Sequence, residues 1–220
     1  MKRKFFSTKN MVLMAMLAAV AYVIVCVAHL FPIQVIDFLS YEPKDVIITI
    51  AGFLLGPLAS LIISAVVSLV EMVTISKTGP IGALMNFLST CSFACTAAIL
   101  YKKMHSLKGA VLSLVCATLA MTGVMVLWNW LITPLYMRVP RQEVVGMLIP
   151  VFLPFNLLKS GFNSALILAL YKPLTSALRS ARLLPPSQST QNQTKVGLYI
   201  FAAALLATCA VLLLVMRGVL

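Results

Sequence analysis

Apolar runs of about 20 residues, separated by short polar breaks, repeat along the 220-residue chain. A helix of about 20 apolar residues is long enough to cross the hydrocarbon core of a membrane. The runs are continuous and do not alternate with polar positions, which favours helices over the strands of an outer-membrane barrel. We predict seven helices, the second of them short, with approximate bounds 10–30, 45–56, 57–76, 80–101, 108–134, 150–177 and 196–216.

Segment 45–76 can be interpreted as two helices or as one kinked helix. With two helices and a cytoplasmic N-terminus, the basic N-terminal residues and the basic connector 102–108 lie on the cytoplasmic side, as the positive-inside rule requires. All five acidic residues then lie toward the outside. A single helix would move the connector to the outside. We therefore predict two helices, a cytoplasmic N-terminus and an external C-terminus.

A polar linker divides the chain near its C-terminal end. Residues 184–195 contain two consecutive prolines followed by serine, glutamine, asparagine and threonine, a composition typical of linkers. We predict a six-helix membrane domain over residues 1–183, this linker, and an additional membrane helix within residues 196–220.

The composition agrees with a membrane protein. Hydrophobic residues make up 61% of the chain and charged residues 10%, whereas a soluble domain carries about 25% charged residues. This excludes a soluble enzyme and a disordered chain. A net charge of +12 can indicate nucleic-acid binding, but the basic residues lie at helix ends, so no nucleic-acid partner is predicted.

The sequence does not contain the common motifs of catalytic sites, such as HExxH, a P-loop or a Gly-rich dinucleotide fingerprint. Its five cysteines lie inside apolar runs. Cys91 and Cys95 are one helical turn apart, but no histidine or third cysteine accompanies them, which favours packing over metal binding. We predict no catalytic residue, no bound metal, no cofactor and no enzymatic activity.

Strong hydrogen-bonding side chains inside predicted membrane helices are costly to bury, and their presence therefore indicates a candidate functional site. At a rise of 1.5 Å per residue, five of them lie roughly 7–14 Å below the outer surface, on four helices. These residues are Glu71, Asn86, Asn129, Asn156 and Lys159. The shared depth predicts a polar pocket that opens outward and is capped by the loop 31–44.

Two features of this level allow a second interpretation. Asparagines also hold membrane helices together, and Glu71 and Lys159 could simply pair with each other. The pocket interpretation is supported, in contrast, by the i, i+3, i+7 spacing of Asn156, Lys159 and Asn163, which places them on one face of their helix. Nearby aromatic residues are typical of an interfacial belt, although they could also stack on a flat ligand. They are Trp128, Trp130, Tyr136 and Phe155.

Four stretches resemble a known family. They are YEPKD at 41–45, GFLLGP at 52–57, TGPIGALMN at 78–86 and LPFNLLK at 153–159. Over residues 8–180 the chain is similar to the S components of energy-coupling factor (ECF) transporters, within them the riboflavin-specific branch. The resemblance implies an all-α integral membrane protein, a six-helix bundle with a short second helix, to which the C-terminal helix is an addition.

The resemblance also implies site residues. Flavin contacts carry over to Asn129, Asn156 and Lys159, and we add Glu71, Asn86 and Tyr41 as candidate ligand-binding residues of the same pocket. An Ala-x-x-x-Ala pattern in the first helix, which mediates docking in that family, corresponds to Ala15 and Ala19.

The implied function is vitamin capture in the plasma membrane of a bacterium. Riboflavin would be the transported ligand, with FMN as a second candidate. The partners would be a transmembrane coupling subunit and two ATP-hydrolysing subunits. Two alternatives stay open: an S component for another vitamin or precursor, and a membrane scaffold without a transport role.

Overall fold

The computed structural model describes residues 5–30, 33–36, 39–76, 79–183, 202–203, 205–210 and 214. The elements in chain order are α1 (Thr8–Leu30), β1 (Ile33–Ile36), β2 (Leu39–Tyr41), α2 (Lys44–Leu55), α3 (Pro57–Thr74), α4 (Gly79–Met104), α5 (Leu107–Leu131), α6 (Thr133–Met137), α7 (Arg141–Met147), a π-helical turn (Leu148–Phe152) and α8 (Leu153–Ser180).

Five helical segments of the described residues are long and apolar enough to cross a membrane. They are α1, α3, α4, most of α5, and the continuous stretch Arg141–Ser180, which joins α7, the π-helical turn and α8. The expected helical membrane fold is therefore confirmed.

The predicted break between the second and third helices is confirmed as well. α2 ends at Leu55, and Gly56 adopts a φ of +100°, which L-residues with a side chain rarely tolerate. Pro57 then occupies the first turn of α3, where its missing N–H costs no hydrogen bond. The Gly-Pro pair thus separates two helices where the apolar pattern alone is continuous.

α2 lies at the centre of the bundle. Its 12 residues extend about 18 Å, too short to cross a hydrocarbon core of about 30 Å. Every residue from Lys44 to Gly52 is buried. Ile47, Ile48 and Ala51 pack with α1 and α3, whereas Val46 and Ile50 pack with α4, α5 and α8. The first turn of this central helix is therefore held inside the protein.

The loop expected over residues 31–44 contains a β-hairpin. β1 and β2 pair antiparallel, with Ile33 opposite Tyr41 and Gln34 opposite Ser40. β1 has the sequence Ile-Gln-Val-Ile, whose β-branched residues favour extended structure. The expectation of an irregular loop missed this short element.

The segment between α5 and α8 also differs from expectation. The fifth helix ends at Leu131 instead of Pro134, and residues 141–147 form α7 where a polar loop was expected. The π-helical turn follows, and α8 extends to Ser180. The sequence did not define the ends of these helices, because they contain prolines. A proline can lie in the first turn of a helix but interrupts a helix interior, so it can indicate either a start or an end.

Basic residues gather at one end of the bundle, which we call the basic end. Lys9 Nζ donates a hydrogen bond of 2.7 Å to the carbonyl oxygen of Arg182, so the start of α1 meets the residues that follow α8. Lys102 and Lys103 in the last turn of α4, and Lys108 in the first turn of α5, lie at the same end. The polar residues Glu71, Asn86, Asn129, Asn156 and Lys159 lie toward the opposite end.

The described residues of the C-terminal run are helical and pack on the bundle. Ala202 is buried beside Ile167 and Leu168 of α8. A Cβ on Gly161 would come within 2.9 Å of Cys209 Sγ, so the two segments approach closely there. The predicted linker 184–195 lies outside the described residues, as do many residues of 196–220, and the division at 183 stays a prediction.

Candidate functional site

A cavity of about 90 Å³ lies at the end of the bundle opposite the basic end. It brings together four residues of the predicted pocket, Asn86, Asn129, Asn156 and Lys159, from α4, α5 and α8. Its other lining residues are Glu42, Met85, Ser89, Met125, Phe152 and Phe155. Glu71 and Tyr41 do not line this cavity.

Two cavity asparagines, Asn129 and Asn156, are each oriented by hydrogen bonds to residues that are close to them in the sequence. Asn129 Nδ2 donates to the Met125 carbonyl at 2.8 Å, and its Oδ1 accepts from Thr133 Oγ1 at 2.8 Å. Asn156 Nδ2 donates to the Phe152 carbonyl at 2.7 Å. Each amide group keeps a second N–H and a free lone pair. These bonds fix the side chains without joining one membrane-spanning helix to another, which disfavours a purely structural role for the pair.

Lys44 lies behind the cavity and organises a buried ionic network. Its side chain is 1% exposed, and Nζ lies 2.5 Å from Glu71 Oε2 and 2.8 Å from Glu42 Oε2. Asn86 Nδ2 donates to Glu71 Oε1 at 2.9 Å. We call Glu42, Lys44, Glu71 and Asn86 the Lys44 network. Glu71 therefore pairs with Lys44, and the alternative in which it pairs with Lys159 is wrong.

Glu42 connects this network to both the hairpin and the cavity. It follows β2 directly and lies outside the membrane-spanning segments. Burial raises the pKa of its carboxyl, but the positive charges of Lys44 and Lys159 outweigh burial, and the net pKa lies below its ordinary value. Glu42 is therefore ionised at neutral pH and brings a negative charge to the cavity wall.

Asp45 is the centre of a second buried polar cluster, which lies next to the Lys44 network. Its Oδ1 accepts from Thr90 Oγ1 at 2.7 Å, and its Oδ2 accepts from Asn163 Nδ2 at 3.2 Å. Lys159 Nζ lies 3.8 Å from the same Oδ2. The hydroxyl of Tyr41 donates to Asn163 Oδ1 at 2.8 Å. Burial, followed by the charge of Asp45, raises the pKa of the Tyr41 phenol, so it stays a neutral donor.

The two lysines have different roles in this arrangement. Lys44 is paired with two carboxylates at hydrogen-bonding distance, so its charge is already matched. Lys159 is 3.8 Å from its carboxylate, which is too long for a hydrogen bond, and it lines the cavity. Three carboxylates, of Glu42, Asp45 and Glu71, surround these two ammonium groups. The remaining N–H donors of Lys159, Asn129 and Asn156 suit a ligand that carries hydrogen-bond acceptors.

One set of side chains here has the spacing of metal ligands. Donor atoms of His29, Glu42 and Glu71 lie within 4.8 Å of one another. However, the Lys44 ammonium already contacts both carboxylates and supplies the positive charge that a metal would bring. Glu42 and Glu71 are therefore better described as ion-pair partners of Lys44, and His29 Nε2 lies 3.8 Å from Glu42 Oε1.

Most of the aromatic residues predicted near this level do not line the cavity. Phe155 lines the cavity, whereas Trp130 and Tyr136 are exposed. The guanidinium of Arg141 lies 5.4 Å from the centre of the Trp130 ring. Trp128 is half-buried against the apolar core. This distribution fits an interfacial belt with one aromatic wall for the cavity.

Sequence reasoning missed the charged triplet Glu42, Lys44 and Asp45 as site residues. The sequence did contain a signal for them. These residues lie at the start of a helix that is apolar on every side, and a helix of this kind must be buried, including its first turn. The cavity residues Met85, Met125 and Phe152 carried no comparable signal, because they resemble any other apolar residue of a membrane helix.

Ala15 and Ala19 lie on the exposed side of α1. The opposite side of the helix carries Leu13, Leu17 and Ala21, which are buried in the bundle. The two alanines therefore face away from the core, on a surface that a second helix could approach closely.

Comparison with known proteins identifies relatives of similar length. The family described as "ECF transporter, substrate-specific component" matches residues 9–171. The chain is 30% identical to the riboflavin transporter RibU of Staphylococcus aureus (strain TCH60), over 78% of this chain and 93% of the relative. It is also 30% identical to the riboflavin transporter FmnP of Bacillus subtilis (strain 168), over 80% of this chain and 98% of the relative.

A solved structure agrees with these sequence matches. It is described as the S component of a bacterial ECF transporter and is 30% identical to this chain, with a TM-score of 0.63. The match covers 77% of this chain and 96% of the solved one. The resemblance expected from the four sequence stretches is thereby confirmed, and the chain belongs to the substrate-specific (S) component family of ECF transporters.

Proposed function

We propose that this S component captures riboflavin from outside the cell for uptake by an ECF transporter. Two relatives at 30% identity are named riboflavin transporters, and both align over more than three quarters of this chain. The observation that carries the proposal is the cavity in which Asn129, Asn156 and Lys159 meet.

The chemistry of these side chains matches a flavin. The edge of the isoalloxazine ring alternates carbonyl acceptors with an imide donor. An asparagine amide can donate and accept at the same time, and a lysine ammonium donates to carbonyl oxygens. Met85, Met125 and Phe155 supply apolar surface for the body of the ring, as flat ligands generally require.

Riboflavin binding requires the cavity to enlarge. Its volume of about 90 Å³ is below the 300–1,000 Å³ or so of common small-molecule sites. Met85 and Met125 have flexible, unbranched side chains that can rotate at low cost. We infer that their rotation makes room for the ring, while the asparagines keep the orientation set by their local hydrogen bonds. Glu71 and Asn86 support the wall, and Tyr41 acts through Asn163 instead of touching the ligand.

Transport needs partners, since the chain carries no nucleotide-binding motif of its own. We infer that it acts with a transmembrane coupling subunit and two ATP-hydrolysing subunits, and that it is neither an enzyme nor dependent on a cofactor. Ala15 and Ala19 on the exposed side of α1 supply the docking face, because small residues let helices approach closely. The domain 1–183 would hold the ligand, and the helix within 196–220 is an addition.

A membrane scaffold without a ligand is the less favoured alternative. In a scaffold, buried amides would join neighbouring helices, as Asn163 does with Asp45. Asn129 and Asn156 instead bond within their own part of the chain and line a cavity. An S component for another vitamin is distinguished by titration with that vitamin.

Removing the polar groups of Asn156 or Lys159 should weaken riboflavin binding. Loss of a hydrogen bond to a charged group costs about 1.5–3 kcal/mol, so we expect Lys159→Ala to raise Kd roughly ten- to hundredfold, with a smaller effect for Asn156→Ala. Quenching of flavin fluorescence by the purified protein measures Kd. Lys172→Ala, on the exposed side of the same helix near the basic end, is the matched control. Unchanged Kd in both cavity variants would refute this binding site.

Labelling from outside the cell should distinguish the two ends of the bundle. We infer that the N-terminus and the basic end are cytoplasmic, following the positive-inside rule. Gln142 and Ser106 are both exposed, and lie near opposite ends. A membrane-impermeant thiol reagent should label Gln142→Cys but not Ser106→Cys in intact cells. The opposite pattern would reverse the orientation.

Bulky residues at the docking face should separate binding from transport. Ala15→Trp and Ala19→Trp add a large ring where a partner helix must approach closely, and overpacking costs about 1–3 kcal/mol. Because both positions face away from the core, we expect riboflavin binding by the isolated protein to survive while uptake with the coupling subunits falls strongly.

The control for this experiment is Leu119→Trp, on an exposed position of α5. It should leave both binding and uptake near the wild-type level. Normal uptake in both alanine variants would show that docking occurs through another surface.

A further inference from the structure

Asp45 is unusual among the buried carboxylates because neutral donors hold both of its oxygens. Thr90 of α4 donates to Oδ1 at 2.7 Å, and Asn163 of α8 donates to Oδ2 at 3.2 Å. Its side chain is 0% exposed. Three helices therefore fix the position of this negative charge, and the residue does not line the cavity.

Lys159 lies next to this fixed charge, one helical turn before Asn163 on α8. Its Nζ is 3.8 Å from Asp45 Oδ2, close enough for strong electrostatic attraction but beyond hydrogen-bonding distance. The attraction holds the ammonium at the cavity wall without using its N–H donors. Those donors are consequently available to a ligand.

We propose that Asp45 is a positioning residue, which fixes the ammonium of Lys159 at the cavity wall and thereby determines how the site accepts a carbonyl-bearing ligand. This inference rests on the proposed riboflavin function. It concerns a residue that touches no ligand and acts only through Lys159.

Another carboxylate makes this positioning necessary. Glu42 also lines the cavity, and its negative charge attracts Lys159. Without the charge of Asp45, the ammonium would turn toward Glu42 and enter the space that a ligand must occupy. Asp45 thus holds Lys159 against the wall and away from the competing carboxylate.

A double-mutant cycle tests the inference. Asp45→Asn keeps the size of the side chain and removes its charge. We expect it to raise the riboflavin Kd about tenfold in the otherwise unchanged protein. In a Lys159→Met background the same change should alter Kd by less than about twofold, because no ammonium remains to be positioned.

A second variant covers the case in which Asp45→Asn fails to fold. Thr90→Val removes one donor to Asp45 and leaves every charge in place. It should raise Kd about threefold, and this effect should also disappear in the Lys159→Met background. The matched control is Thr175→Val, because Thr175 is buried near the basic end of α8 and bonds to the Lys172 carbonyl at 3.0 Å. This control should bind riboflavin like the wild type.

The outcomes separate this inference from the function on which it rests. Failure of the wild-type protein to bind riboflavin would overturn both. If the wild type binds, an equal loss from Asp45→Asn, or Thr90→Val, in both backgrounds would mean a purely structural role and overturn the inference alone. Unchanged or tighter binding in the single variants would do the same.

Discussion

The buried ammonium of Lys44, held between the carboxylates of Glu42 and Glu71, is the interaction on which the polar end of this bundle depends. Removing two ions from water costs several kcal/mol each, and the cost is recovered only when geometry is close and remaining polar atoms are bonded. Here Nζ lies 2.8 Å and 2.5 Å from its partners, and Asn86 bonds the second oxygen of Glu71. The start of α2, the end of α3 and the start of α4 are thereby held together.

This constraint explains the position of the cavity. α2 is too short to cross the membrane, so its first turn lies inside the protein, and charged residues there need partners from neighbouring helices. Once Lys44 and Asp45 are matched, the polar groups that line the cavity at this level include those of Asn129, Asn156 and Lys159, and the buried hydroxyl of Ser89. Charged groups thus hold the architecture, and amide groups with one oriented ammonium face the cavity.

Much of this arrangement could be predicted from the sequence. The length and continuity of the apolar runs predict membrane helices, and Gly56–Pro57 indicates the break that the charge distribution requires. The common depth of five polar residues predicts one pocket, and four of them, Asn86, Asn129, Asn156 and Lys159, do line one cavity, whereas the fifth, Glu71, pairs with Lys44 instead. These predictions succeed because helical rise and the cost of burying polar groups are both set locally.

The pairing of charges could not be predicted in the same way. Glu71 and Lys159 have opposite charges and similar depth, yet Glu71 pairs with Lys44 and Lys159 lies beside Asp45. That choice depends on the rotation of α2 within the bundle, which its uniformly apolar surface does not reveal. The hairpin before α2 was missed because four residues are too few for a clear pattern.

The most direct test of this account is the thermal unfolding of Lys44→Met in detergent, followed with riboflavin titration of the same sample. Removing one partner of a buried ion pair costs about 3–5 kcal/mol, so we expect a markedly lower Tm and weaker riboflavin binding. Adding Glu42→Gln and Glu71→Gln should restore much of the Tm, since the uncompensated carboxylates are then gone. A Lys44→Met protein that melts and binds riboflavin like the wild type would contradict the account.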